Sequence, residues 1–139
     1  MSLVRVLPAW LHAVADYAVG LSLIMVAIAA GAAGADGKGV AIGVVVGAVV
    51  LLVSMLTKYP LGVAKVLPFA VHSAGDYLAA ALLIISPFAL SINSDEPGLT
   101  AFYVIAGLAV LAVSLVTNYQ YGEKRSWNQS AVKATPATA

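Results

Sequence analysis

Four long stretches of the chain are predominantly apolar: 7–31, 40–59, 67–91 and 99–119. Most of the lysines and acidic residues lie outside them. Each stretch approaches or exceeds the roughly 20 residues that cross a hydrocarbon core of about 30 Å at 1.5 Å rise per residue. Barrel strands would need strict polar alternation, which is absent, and single strands cannot satisfy their backbone groups in lipid. The pattern therefore predicts an all-α membrane protein with four transmembrane helices. Pro8 and Pro68 fit the first turns of helices 1 and 3, where a missing N–H costs nothing. Pro87, late in helix 3, is expected to kink that helix or end it early.

The polar residues inside these stretches are not scattered. "RVLPAWLHAVADY" from Arg5 and "KVLPFAVHSAGDY" from Lys65 share Leu-Pro, His, Asp and Tyr at an offset of sixty positions. "VSMLTKYPLG" from Val53 and "VSLVTNYQYG" from Val113 match at the same offset without gaps. The unit is a two-helix hairpin written twice by tandem duplication. It divides the chain into hairpin 1 (1–64), hairpin 2 (65–122) and a polar tail (123–139) expected to be disordered. Two crossings per unit bring both copies in from the same side, related by a pseudo-two-fold axis along the membrane normal. Arg5 followed by an apolar run and "AIAAGAAGA" resembles a signal peptide. The run is longer than such a segment needs, and it recurs from Lys65, so helix 1 is expected to be retained.

Charge orients the bundle. Arg5, Lys58, Lys65, Lys124, Arg125 and Lys133 fall at the N-terminus, the middle loop and the tail, leaving only Lys38 in the other two loops. An excess of Lys and Arg marks the cytoplasmic side, so both termini are expected in the cytoplasm and the protein in the plasma (inner) membrane. Trp10, Tyr59, Tyr119 and Tyr121 would form an aromatic belt near that face. Only 9% of residues are charged, and the net charge is +1. That excludes a basic nucleic-acid surface and leaves the lipid bilayer as the main partner, with a homo-oligomer or larger membrane complex open. The chain has no cysteine, which removes disulfides, thiolate metal sites and cysteine nucleophiles. No HExxH, GxSxG or phosphate-binding loop is present, so a non-enzymatic module is the first expectation.

The candidate site is the set His12, Asp16, His72 and Asp76. The spacing i, i+4 puts each His and Asp on one helix face. Ionisable groups within a membrane helix are costly, so they face the bundle interior and a partner. Facing helices would bring all four together, and three readings stay open. In the first, the quartet is a polar bolt that fixes helix pairing, as mispairing leaves polar groups unsatisfied in lipid. In the second, His12 and His72 ligate haem b as a bis-imidazole pair in an electron-transfer protein, with Asp16 and Asp76 orienting the rings. In the third, two His and two carboxylates hold a metal ion or relay protons. Tyr17 and Tyr77 could extend such a network.

Gly39, Gly43 and Gly47 make a GxxxGxxxG stripe on helix 2, which serves either a dimer seam or close packing within the bundle. Helix 4 keeps only Gly107 of the three, so the hairpins are not expected to pack identically. Ser54 and Ser114 sit on equivalent turns and are expected to bond their own helix backbone.

Around "GDYLAAALLIISPFAL", 75–90, the chain resembles the SPW-repeat family of small prokaryotic membrane proteins. Asp76-Tyr77 stands where that family has an acidic–aromatic pair, and Ser86-Pro87-Phe88 where it has Ser-Pro-Trp. Hairpin 1 keeps Asp16-Tyr17 but reads Val26-Ala27-Ile28 at the second position. The resemblance implies tandem two-helix units in a four-helix membrane protein. It supplies no catalytic residues.

Overall fold

A computed structural model describes residues 6–119. It contains four helices, α1 (Ala9–Ala32), α2 (Gly37–Leu56), α3 (Phe69–Ala89) and α4 (Pro97–Val116), and no strand among the described residues. Each helix is long and apolar enough to cross a bilayer, as in a multi-pass membrane protein. Large apolar side chains such as Met25, Leu78 and Ile105 point outward. This is the arrangement expected when lipid rather than water surrounds the bundle. The tail, Arg5, Tyr121, Lys124, Arg125 and Lys133 lie outside the described residues.

Local chemistry sets the helix ends. Pro8 and Pro68 are not in the first turns but cap them, in extended conformation. Their carbonyls accept the amides of His12 and His72 at 3.2 and 3.1 Å, which fixes each histidine one turn inside its helix. Helix α2 starts earlier than its apolar run because the Asp36 side chain accepts the Lys38 amide at 2.8 Å. Such an N-cap satisfies one of the orphan donors at a helix start. It ends earlier because Thr57 turns extended. Pro87 falls in the last turn of α3, and the helix stops two residues later at Ala89.

The buried residues of α1 are Ala9, His12, Ala13, Asp16, Gly20, Leu23 and Ala27. Those of α3 are Phe69, His72, Ser73, Asp76, Ala80, Leu83 and Pro87. The two stripes match position for position at an offset of sixty, and the four ionisable groups lie on them. The hairpin crossings match too. A Cβ at Gly47 would lie 2.7 Å from the Gly20 carbonyl oxygen and 3.1 Å from the Leu23 Cβ. One at Gly107 would lie 2.9 Å from the Ala80 carbonyl oxygen and 3.1 Å from the Leu83 Cβ. The glycine stripe thus packs inside the bundle, Gly43 and Gly47 against α1 and Gly39 against Leu99 of α4. The hairpins differ one turn away. Tyr103 of α4 stands where α2 has Gly43, and it fills the space that glycine leaves. Its hydroxyl donates to the Gly39 carbonyl at 2.7 Å.

Two short straps close the end of the bundle that carries the histidines. The amides of Val66 and Leu67 both donate to the Leu56 carbonyl at 2.8 Å, and Lys58 N–H returns to the Leu67 carbonyl at 2.8 Å. In the same way Val6 and Leu7 donate to the Val116 carbonyl, and Asn118 N–H to the Leu7 carbonyl. These bonds satisfy carbonyls that a helix end otherwise orphans. They also place Thr57 beside the start of α3 and Thr117 beside the start of α1, across the hairpin boundary.

Gly47→Leu is expected to destabilise the protein by about 1–3 kcal/mol or more, since the added side chain must displace backbone. Gly107→Leu should do the same. A lowered thermal midpoint in detergent checks both. An unchanged midpoint for Gly47→Leu would place the stripe on the outside.

Candidate functional site

His12, Asp16, His72 and Asp76 converge into one buried cluster. The histidines are 1% and 2% exposed and the aspartates 8% each. His12 Nε2 and His72 Nε2 lie 3.3 Å apart. Each carboxylate straddles the two nitrogens. Asp16 Oδ1 is 3.4 Å from His12 Nε2, and its Oδ2 is 3.2 Å from His72 Nε2. Asp76 Oδ1 is 3.0 Å from His72 Nε2, and its Oδ2 is 3.3 Å from His12 Nε2.

The outer side of each imidazole explains its orientation. Thr57 donates its hydroxyl proton to the Val53 carbonyl at 2.7 Å, and Thr117 to the Val113 carbonyl at 2.6 Å. A hydroxyl has one proton to give, so each Oγ1 can only accept from the histidine beside it. His72 Nδ1 lies 2.8 Å from Thr57 Oγ1, and His12 Nδ1 lies 2.9 Å from Thr117 Oγ1. Both Nδ1 atoms therefore carry a proton. In the neutral form both Nε2 atoms present a lone pair to the centre of the cluster. The straps make this possible, because they carry each threonine to the histidine of the other hairpin.

The carboxylates are held as well. Tyr59 donates to Asp16 Oδ2 at 3.1 Å, and Tyr119 to Asp76 Oδ2 at 2.9 Å. Burial, and then the neighbouring carboxylate, push both phenols well above the usual tyrosine range. They stay protonated donors at any physiological pH. With Phe69 they cover the cluster: Phe69 packs 4.6 Å from Tyr119 and 5.4 Å from His12, centroid to centroid.

Several sequence expectations change here. Tyr59 and Tyr119 are buried donors to the carboxylates rather than belt residues; of the described members of that set Trp10 is exposed. Tyr17 does not extend the network, since its hydroxyl donates to the Leu61 carbonyl. The hydroxyls of Ser54 and Ser114 make no bond to their own helix backbone and have no partner at hydrogen-bond geometry. They lie beside the phenols of Tyr59 and Tyr119. The readable signal for these partners was the second repeated block, where Ser, Thr and Tyr recur at the offset of sixty together with Val and Gly.

Two anionic carboxylates in an apolar bundle need two positive charges. Two imidazolium protons supply them, and so does one divalent cation held by neutral imidazoles. Haem fits poorly: the nitrogens are too close for a macrocycle between the rings, and the carboxylates occupy its place.

Thr117→Val should leave the His12 Nδ1 proton unpaired and cost about 1–3 kcal/mol. Thr117→Ser should restore most of that, as read from thermal unfolding of the purified protein. Equal stability of the two variants would remove the threonine–histidine bond from the account. Comparison of the chain with protein-family models, curated proteins and solved structures finds no match in any of the three.

Proposed function

We propose that this is a non-enzymatic, multi-pass membrane protein whose quartet holds one divalent first-row transition-metal ion between its two hairpins. The observation that carries this reading is the convergence of two lone-pair-bearing Nε2 atoms, fixed by Thr57 and Thr117, on two carboxylates. Tetrahedral bonds of about 2.0–2.1 Å put neighbouring ligand atoms about 3.3–3.4 Å apart. The two nitrogens lie 3.3 Å apart, each carboxylate reaches both of them at 3.0–3.4 Å through its two different oxygens, and one ligand atom from each of the four residues lies within 4.8 Å of the others, so a small inward closure would bring them to an ion. Ligating histidines usually donate their other N–H to an oxygen, and ligating carboxylates are themselves hydrogen-bonded. Both conditions are met, by the threonines and the tyrosines. Imidazole and carboxylate together suit zinc, iron, manganese or cobalt, and two imidazoles discriminate against calcium and magnesium.

The same residues clasp the two hairpins, so metal binding and bundle assembly are coupled in this reading. The repeated contacts at an offset of sixty support an origin by tandem duplication with the quartet on the pseudo-two-fold axis. Lys58 and Lys65 beside the straps support a cytoplasmic location for that end and for both termini, in a plasma membrane. The doubly protonated quartet, a neutral ionic bolt, is the second reading, and it satisfies the same charge count.

Protein purified without chelator and equilibrated with Zn2+ should retain about one ion per chain by elemental analysis. His12→Ala and Asp76→Ala should lose it. Thr117→Val should weaken it by about 10–100-fold, the usual cost of removing such an outer partner. Folded wild-type protein that holds no more zinc than the His12→Ala variant would leave the ionic bolt as the reading.

A further inference from the structure

A cavity of about 50 Å³ lies directly against the quartet and reaches Asp16, His72 and Asp76. Its walls include the equivalent pairs Val19 and Ala79, and Val50 and Val110. It also extends to one side only, past Val49 and Val53 of α2 and Gly75 of α3. Gly75 and Val49 are exposed, so the cavity opens between α2 and α3. Val49 lies near the middle of the 20-residue helix α2 and Gly75 well inside α3, which sets this mouth within the hydrocarbon level of a spanning bundle. Three lining positions differ between the hairpins: Val49 of α2 has Ala109 as its counterpart, and the other two lie on α1 and α3. Hairpin 1 has Ala15 and Val19 where hairpin 2 has Gly75 and Ala79. A Cβ at Gly75 would meet nothing within 4 Å.

We infer that this cavity admits a small uncharged molecule from the bilayer to an open coordination position of the quartet-bound metal. The inference rests on the metal reading above. Size, access and charge define the class of ligand. The volume suits a diatomic molecule rather than a ring. The mouth faces hydrocarbon, which a charged ligand does not cross readily. A divalent ion with two carboxylates is already neutral, so an added anion would leave net charge in a low-dielectric site. Beyond the quartet the walls are valine, alanine and glycine and offer an ordered water no polar side chain. Nitric oxide, carbon monoxide and dioxygen have the right size, charge and affinity for first-row metals. A four-coordinate ion can expand to five to take one.

The probe is nitric oxide, added anaerobically to the Fe2+-loaded full-length protein and followed by electron paramagnetic resonance and visible absorption. The expected result is a new iron–nitrosyl signal that saturates at one nitric oxide per iron. The double variant Gly75→Ala/Ala79→Val, which installs the residues of hairpin 1, should keep its iron and bind nitric oxide at least about tenfold more weakly, as overpacking closes the space. The reverse change, Ala15→Gly/Val19→Ala, should keep both iron and nitric oxide binding. Iron bound with no nitrosyl signal, or a signal that the filling variant leaves unchanged, would overturn the inference and spare the metal site. Failure of the wild-type protein to hold iron, seen first by elemental analysis, would overturn both.

Discussion

A carboxylate buried in an apolar bundle is tolerated only if its charge is cancelled where it stands. This protein buries two, Asp16 and Asp76, and almost every local feature around them follows from that constraint. The histidine and aspartate side chains of α1 and α3 meet in the bundle interior, where each carboxylate comes close to both Nε2 atoms. The straps after α2 and α4 deliver a threonine to the back of each imidazole and a tyrosine to the back of each carboxylate. With those outer bonds made, only the inner atoms remain unsatisfied, and they point at one another. A charge of +2 at that point, from two protons or one ion, closes the account.

The partners are shared crosswise. Thr57 serves His72 and Thr117 serves His12, while each tyrosine serves the aspartate of its own hairpin. Neither hairpin can complete its half of the cluster alone. The hairpin crossings at Gly47 and Gly107 hold within each unit, and the quartet with its threonines holds between units. An ion held at the centre would therefore also report on whether the two hairpins are assembled.

Much of this was legible in the chain. Four apolar runs gave four helices with ends shifted by one to three residues, because caps at Asp36 and extended residues at Thr57 and Thr117 override hydropathy at the boundaries. The i, i+4 spacing, repeated at an offset of sixty, placed His12, Asp16, His72 and Asp76 on inward faces. What could not be read was direction after a helix ends. Thr57 and Tyr59 lie past the end of α2, and the turn of the strap decides whether they meet lipid or the core. Tyr59 and Tyr119 near a helix end look like interfacial anchors, and only the backbone bonds to Leu67 and Leu7 turn them inward. Tyr103 filling the space at Gly43 was equally hidden, since it depends on a difference between the hairpins rather than on their likeness.

The metal reading requires both Nε2 atoms to offer lone pairs to a shared ion. Nitrogen NMR of histidine-labelled protein in a lipid nanodisc tests it most directly, because the chain has only two histidines and the spectrum holds only their four ring nitrogens. With Zn2+ present, both rings should show a protonated Nδ1 and a metal-bound, proton-free Nε2. Two fully protonated rings, unchanged by zinc, would contradict that reading and make the quartet a proton-neutralised bolt.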